Sequence, residues 1–239
     1  MTDELCTEID KIAPNYVFVT TVPNFLDVRF FIWKKYREHL NMTYVIDLEK
    51  PLDKIWASFS KRCRQEIKYV SACSPEIQQT NDTSPLLDIW RGRFSKRGLK
   101  VPLLSDNYLK ELVAAFPQDV TVYNVSIDGK LATATACCVM QKERYGYWIG
   151  NVNECEDLSV ADYLVWEVVQ RAKSKGFKKL DLGGGLENLS KFKSKFNPVL
   201  EPYFSVDKRD TVGKIHDFTY KKLSRAKKLA SYVLPRGHL

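Results

Sequence analysis

Long hydrophobic runs are missing from this 239-residue sequence. No apolar stretch approaches the roughly 18–20 residues that a membrane-crossing helix needs. The opening residues, MTDELCTEIDK, have neither a basic start nor an apolar core. No secretory signal is therefore expected, and a cytoplasmic location is. None of the six cysteines forms a CxxC pair, and Cys137–Cys138 lies inside an apolar run. Free thiols in a reducing compartment are expected. Only three histidines occur, His39, His216 and His238, far apart and away from any cysteine pair. That spacing offers no zinc site. Internal repeats, low-complexity tracts and Gly/Ser linkers are absent too. So is any convincing Ser/His/Asp or Cys/His arrangement for covalent catalysis.

What is present is an ordinary globular balance, 44% hydrophobic and 28% charged, which argues against long disorder. The charge is uneven. Residues 171–239 carry a net +11, whereas residues 1–170 carry a net −3. A basic last third suggests a polyanionic partner: a phosphorylated cofactor, RNA or an anionic membrane.

Alternation predicts strands at Asn15–Thr21 and Asp27–Trp33, with Pro23–Asn24 as the turn between them. Thr43–Leu48 reads as another strand. A helix then starts at Pro51 and runs to about Ala72, with Ile55, Trp56, Phe59, Cys63, Ile67 and Val70 as its apolar stripe. A short strand at Pro75–Thr80 precedes helices capped near Asn81 or Asp82 and at Ser105. Alternating runs flank Asp128–Gly129, the strongest short-range hairpin signal, so 119–151 reads as a three-stranded antiparallel meander. A long helix follows, from Ser159 to Lys175, with Gly176 closing it. After it come a buried strand at Phe177–Leu182, a helix at about Glu187–Phe196 and a strand at Val199–Val206. A basic amphipathic helix spans about Val212 to Tyr232. This order predicts an α/β protein with a mixed sheet. Three parts are expected: a β-rich extension over 1–42, a main domain over 43–211 and the basic helix within 212–239.

Lys179-Leu-Asp-Leu-Gly-Gly-Gly185 follows a strand and precedes a helix, as a nucleotide-binding loop would. The dinucleotide fingerprint fails, because Asn188 stands where its third glycine belongs. The loop also comes too late, since only one clear strand follows it. Three glycines still allow a sharp turn or the close approach of a ligand.

Trp56 to about Tyr203 resembles the FemAB-like branch of the GNAT acyltransferase superfamily. The matching pieces are Trp56…Arg64-Gln-Glu-Ile-Lys68, the Ile127-Asp-Gly-Lys-Leu-Ala132 hairpin leading to Tyr147-Trp148, and Ala161-Asp-Tyr-Leu-Val-Trp166. They continue through Ala172-Lys-Ser-Lys-Gly176, Leu180-Asp-Leu-Gly-Gly184 and Phe192-Lys193-x-x-Phe196. The resemblance implies one GNAT domain, whose fourth and fifth core strands splay apart. It implies transfer of an acyl or aminoacyl group to an amine, with acyl-CoA or aminoacyl-tRNA as co-substrate. The Fem enzymes of this branch carry two tandem domains and act on cell-wall precursors. In the common CoA-dependent members a glycine-rich loop before the long helix cradles the pyrophosphate. The matching segment here, Asn151–Ser159, has no glycine and three acids, which predicts weak binding of free CoA.

Amide formation of this kind requires a neutral amine, a polarised carbonyl and a stabilised oxyanion. Within the resemblance, Lys193 is the leading candidate, as a cation for the oxyanion or for an acceptor phosphate. Asp181 is placed to orient or deprotonate the amine, and Tyr203 or Tyr163 to protonate a leaving group. Gly183, Gly184, Gly185, Asn151 and Ser159 are expected to contact the donor. Arg64 and Lys68, at i and i+4, are expected to grip a phosphate of the acceptor, a small or nucleotide-linked amine. The contrasting expectation is a non-catalytic module that keeps the fold and binds RNA, tRNA included, or meets an anionic membrane through 212–232.

Overall fold

In the computed structural model, residues 2–95, 107–149, 159–185, 187–215, 218 and 219 are described. The chain divides into two compact units. One comprises Met42–Glu201; the other joins Met1–Asn41 to Pro202–Leu239.

The Met42–Glu201 unit is built on a mixed sheet. Its strands are the second half of β2 (Arg37–Asp47), β3 (Glu76–Thr80), β4 (Val120–Ile127), β5 (Lys130–Gln141), β6 (Arg144–Ile149) and β7 (Lys179–Asp181), in the order β2-β7-β6-β5-β4-β3. The expected meander is there. Asp128 (φ 51°) and Gly129 (φ 71°) both take the left-handed conformation that a two-residue hairpin turn demands, and Ile127 faces Lys130 across it. Along β4 the side chains alternate between two cores. Tyr123 and Val125 join one, Val120 and Val122 the other. The second core is closed by α5 (Ser84–Ser95) and α6 (Tyr108–Ala115), through Leu86, Leu87, Ile89, Leu109 and Val113.

The first core is the larger. α7 (Val160–Ser174) supplies seven buried residues to it, Val160, Tyr163 and Ala172 among them, and connects β6 to β7 as the crossover that a parallel pair requires. Gly176 (φ +85°) ends α7: its N–H bonds the Lys173 carbonyl, and the Phe177 N–H reaches back to Ala172. α8 (Glu187–Ser194) lies against an aromatic cluster. Phe196, just past its end, sits 5.2 Å from Phe59 and 5.5 Å from Phe192, and Phe59 sits 5.6 Å from Trp166.

The single helix expected over 51–72 is two helices, α3 (Leu52–Ser58) and α4 (Lys61–Ala72). Phe59 and Ser60 between them are extended, with ψ near 148° and 149°. The Ser60 hydroxyl accepts from the Cys63 N–H, and the Ser60 N–H donates to the Lys195 carbonyl. The break therefore leaves its polar groups satisfied.

In the other unit, β1 (Tyr16–Thr20) pairs antiparallel with β8 (Val199–Arg209), whose first residues belong to the Met42–Glu201 unit. The strand expected at Asp27–Trp33 is instead a short helix, α2 (Arg29–Trp33). Asp27 turns the chain by accepting from the Arg29 N–H, and Phe31 is buried against Tyr36, 5.5 Å away. Burial of Phe31 decides the conformation over local alternation. A further helix, α1 (Thr2–Ile12), buries Cys6, so the extension carries helices beside its strands. Of the expected C-terminal helix, 211–215, 218 and 219 are helical; the rest of 212–232 lies outside the described residues.

Candidate active site

β7 is short, and its parallel pairing with β6 ends at Gly146 and Asp181. Beyond that point the chain forms the Leu182–Gly185 loop and enters α8. The carboxyl end of a parallel strand and the amino end of a helix thus meet here, a place where open α/β sheets commonly hold ligands.

Asp181 is buried, and three donors converge on its carboxylate. The Thr43 hydroxyl and the Gly183 N–H (2.7 Å) bond Oδ1, and Arg144 bonds Oδ2 at 2.8 Å. Arg144 is also buried and reaches Glu201, which in turn accepts from Lys179 at 2.7 Å. Burial works to raise the Glu201 carboxyl. Bonds from Lys179 and Arg144 outweigh it and hold the group below its ordinary range. The result is a charge network that fixes the end of β7. It sets Gly183 in the left-handed conformation, φ +74°.

Lys193 comes from the second turn of α8. Phe192 and Phe196 anchor that helix in the aromatic cluster, and Lys193 between them reaches the glycine loop instead. Its Nζ donates to the carbonyl oxygens of Gly183 (2.8 Å) and Gly184. It also lies 5.8 Å from the centre of the Tyr44 ring. Only 8% of the residue is exposed. Burial pushes its ammonium down to about pKa 8, against the pull of the Asp181 charge. Methyl-sized space is scarce beside it. A β-carbon on Gly185 would come 2.9 Å from Leu189 Cβ and 3.6 Å from Lys193 Nζ. The N–H groups of Gly184 and Gly185 have no hydrogen-bond partner among the described residues. The loop thus offers two free donors next to a buried amine.

The fold therefore brings together Lys193, Asp181, Gly183, Gly184 and Gly185. Ser159 stands at the N-cap position of α7 without a side-chain cap bond. Arg64 and Lys68 are not paired. The Arg64 guanidinium bonds the Ala57 (2.9 Å) and Phe59 carbonyls at the end of α3, while Lys68 is exposed on α4. Tyr163 is buried in the core, its hydroxyl pushed up to about 12 by burial and by the neighbouring Glu167. Tyr203 belongs to the other unit. Asn151, and the acidic segment up to residue 158, lie outside the described residues.

Sequence reasoning missed Thr43, Arg144 and Glu201. Arg144 follows Gln141-Lys-Glu, a stretch that reads as a solvated turn; nothing local marks its side chain as buried. No group of metal-binding side chains occurs among the described residues. None of the described helices is long and apolar enough to cross a membrane.

Residues 57–194 match the family model of the acetyltransferase (GNAT) domain, and the chain belongs to that family of acyl-group transferases. Its fold is shared with solved structures of low sequence identity. FemX is 11% identical with a TM-score of 0.64, over 85% of this chain and 76% of FemX. L-PGS from Bacillus licheniformis is 13% identical with a TM-score of 0.59, over 86% and 71%. The C-terminal DUF2156 domain of an Agrobacterium fabrum protein is 14% identical with a TM-score of 0.62, over 91% and 75%. These likenesses concern the fold. No curated protein matches the sequence.

Proposed function

We propose that the protein transfers an acyl or aminoacyl group from an activated ester or thioester, aminoacyl-tRNA or acyl-CoA, to an amine. The reaction centre is the Leu182–Gly185 loop, and Lys193 is the catalytic base. The observation that carries this reading is the buried Lys193 amine, lowered to about pKa 8 and bonded to two carbonyls of the loop.

Near neutral pH a minor but useful fraction of such an amine is uncharged. Neutral Lys193 has two N–H bonds and one lone pair. It keeps both carbonyl contacts and offers the lone pair to a proton. The acceptor amine attacks the acyl carbonyl carbon, and a carbon–nitrogen bond forms. The amine's proton passes to Lys193 Nζ. The negative charge that develops on the carbonyl oxygen is met by the Gly184 and Gly185 N–H groups. Collapse of the intermediate breaks the bond to the thiolate or ribose oxygen, which takes the proton back from Lys193. Asp181, with its three donors, serves as a positioning residue that holds the loop.

Full-length protein is assayed with acetyl-CoA, long-chain acyl-CoA and aminoacyl-tRNA, first by thermal shift, since a ligand of the native state raises its stability. The responding donor is then used with hydroxylamine, a weakly basic acceptor already neutral at physiological pH. kcat/KM is expected to rise through about pH 8. Lys193→Met is expected to lower kcat by about 10²–10³ and to remove that rise. A rate that falls above pH 8 would instead assign the Lys193 ammonium to the oxyanion. Wild-type turnover in the variant would remove Lys193 from the chemistry.

A further inference from the structure

Tyr44 lies in β2, and its backbone holds the start of the glycine loop. The Leu182 N–H donates to the Tyr44 carbonyl at 2.8 Å, and the Tyr44 N–H reaches the Gly183 carbonyl at 3.4 Å. The Tyr44 ring is half-buried against the larger core, and Lys193 Nζ lies 5.8 Å from its centre. We propose that Tyr44 is a positioning residue for Lys193: its ring face keeps the amine on the loop and sets how tightly that amine holds its proton. The kinetic consequence rests on the acyl-transfer reading above; the effect on the amine does not.

Lys193 is shielded from water, and the Gly183 and Gly184 carbonyls that hold it are neutral acceptors. The charges around it are matched to other partners. Asp181 of β7 is the carboxylate whose charge acts on Lys193, and Arg144 of β6 bonds it at 2.8 Å. On α8 itself, Lys191 pairs with Glu187 at 2.7 Å. Lys195, just beyond, pairs with Asp162 of α7, also at 2.7 Å. The pull of Asp181 is thus divided with Arg144, and the Tyr44 ring adds a second attraction for the ammonium. A cation within about 6 Å of a ring centre is drawn to the electron-rich face, more strongly where water is excluded.

The balance has two sides. Burial lowers Lys193 to about pKa 8, and the ring opposes a further fall. An amine that titrated far lower would be a weaker base, and one that titrated far higher would be almost wholly charged at neutral pH. The bonds from Tyr44 to Leu182 and Gly183 are made by its backbone, so they survive replacement of the side chain. An effect of substitution on Lys193 is thereby assigned to the ring.

Nuclear magnetic resonance of the full-length protein, carrying ¹³C-labelled lysine, tests this. The Lys193 Cε signal is identified by its loss in Lys193→Met and followed from about pH 6 to 10. Its wild-type midpoint is expected at about 8. Tyr44→Phe, which keeps the ring, is expected to hold that midpoint. Tyr44→Leu and Tyr44→Met are each expected to lower it to about 7–7.5. An unchanged or raised midpoint in whichever of these two folds would overturn the proposal. So would an equal fall in Tyr44→Phe. The rise of kcat/KM with hydroxylamine is then followed in the same variants. A rise that moves with the midpoint supports both readings. A midpoint that moves while the rate profile stays in place supports the role of Tyr44 and overturns Lys193 as the base.

Discussion

Lys193 and Asp181 both look like ordinary charged residues, yet they stand in opposite electrostatic positions. Asp181 is surrounded by donors, while Lys193 is held by neutral carbonyls and a ring face. The Lys193 shift has a consequence for stability. Its folded pKa of about 8 lies below its ordinary value of 10.5. Between those values the unfolded chain binds more protons than the folded one, so stability rises with pH across that window. Below about pH 8 the full penalty of burying the ammonium applies. Urea melts of wild type and Lys193→Met, compared from pH 7 to 10.5, are expected to converge in slope at the low end and to diverge above pH 8. Parallel curves would place the Lys193 titration at its ordinary value. Of this site, Lys193 and the glycines were legible through a motif at fixed spacing. Arg144 and Thr43 were not, because their roles arise from strands brought together across the sheet, and linear sequence carries no mark of that.

At the level of helices and strands, the residue that follows α8 is tied to α7 by an ion pair. Lys195 Nζ donates to both oxygens of Asp162 at 2.7 Å, and Asp162 is fully buried in the first turn of α7. Burial raises the Asp162 carboxyl against the pull of Lys195. Lys195→Met strands that carboxylate and is expected to destabilise the protein by about 3–5 kcal/mol. Asp162→Asn leaves only a partly exposed lysine and is expected to cost clearly less. Equal losses in thermal unfolding would show that the contact acts through packing alone. Ser60 is the matching case for α4: Ser60→Ala removes its N-cap bond to the Cys63 N–H and is expected to cost about 1 kcal/mol. A serine at the N-cap was readable there, but the apolar spacing of Ile55, Phe59 and Cys63 runs straight through the break and hides it. The Asp27–Trp33 segment failed differently. Its alternation fits a strand, and only the burial of Phe31 against Tyr36 selects the helix.

For the whole chain, the family and the mixed sheet were legible from the glycine loop, the hairpin and the long helix between them. The division into units was not, because one unit is assembled from both ends of the sequence and no linker composition announces it. The Met42–Glu201 unit contains two hydrophobic cores of its own, and the buried network from Thr43 to Glu201 closes within it. A fragment spanning 42–201 is accordingly expected to unfold cooperatively by circular dichroism, with near-native secondary structure. A broad, non-cooperative melt would show that the cores need the remaining residues.

The pairing of β1 with β8 also sets a timetable. Thr21 and Phe204, which exchange hydrogen bonds where this pairing ends, are 183 positions apart in sequence. During synthesis β1 leaves the ribosome well before its partner strand, and its Tyr16, Val17, Phe18 and Val19 wait until residues 206–209 have been made. Translation speed through the intervening residues, and chaperone cover for β1 meanwhile, therefore bear on the yield of folded protein.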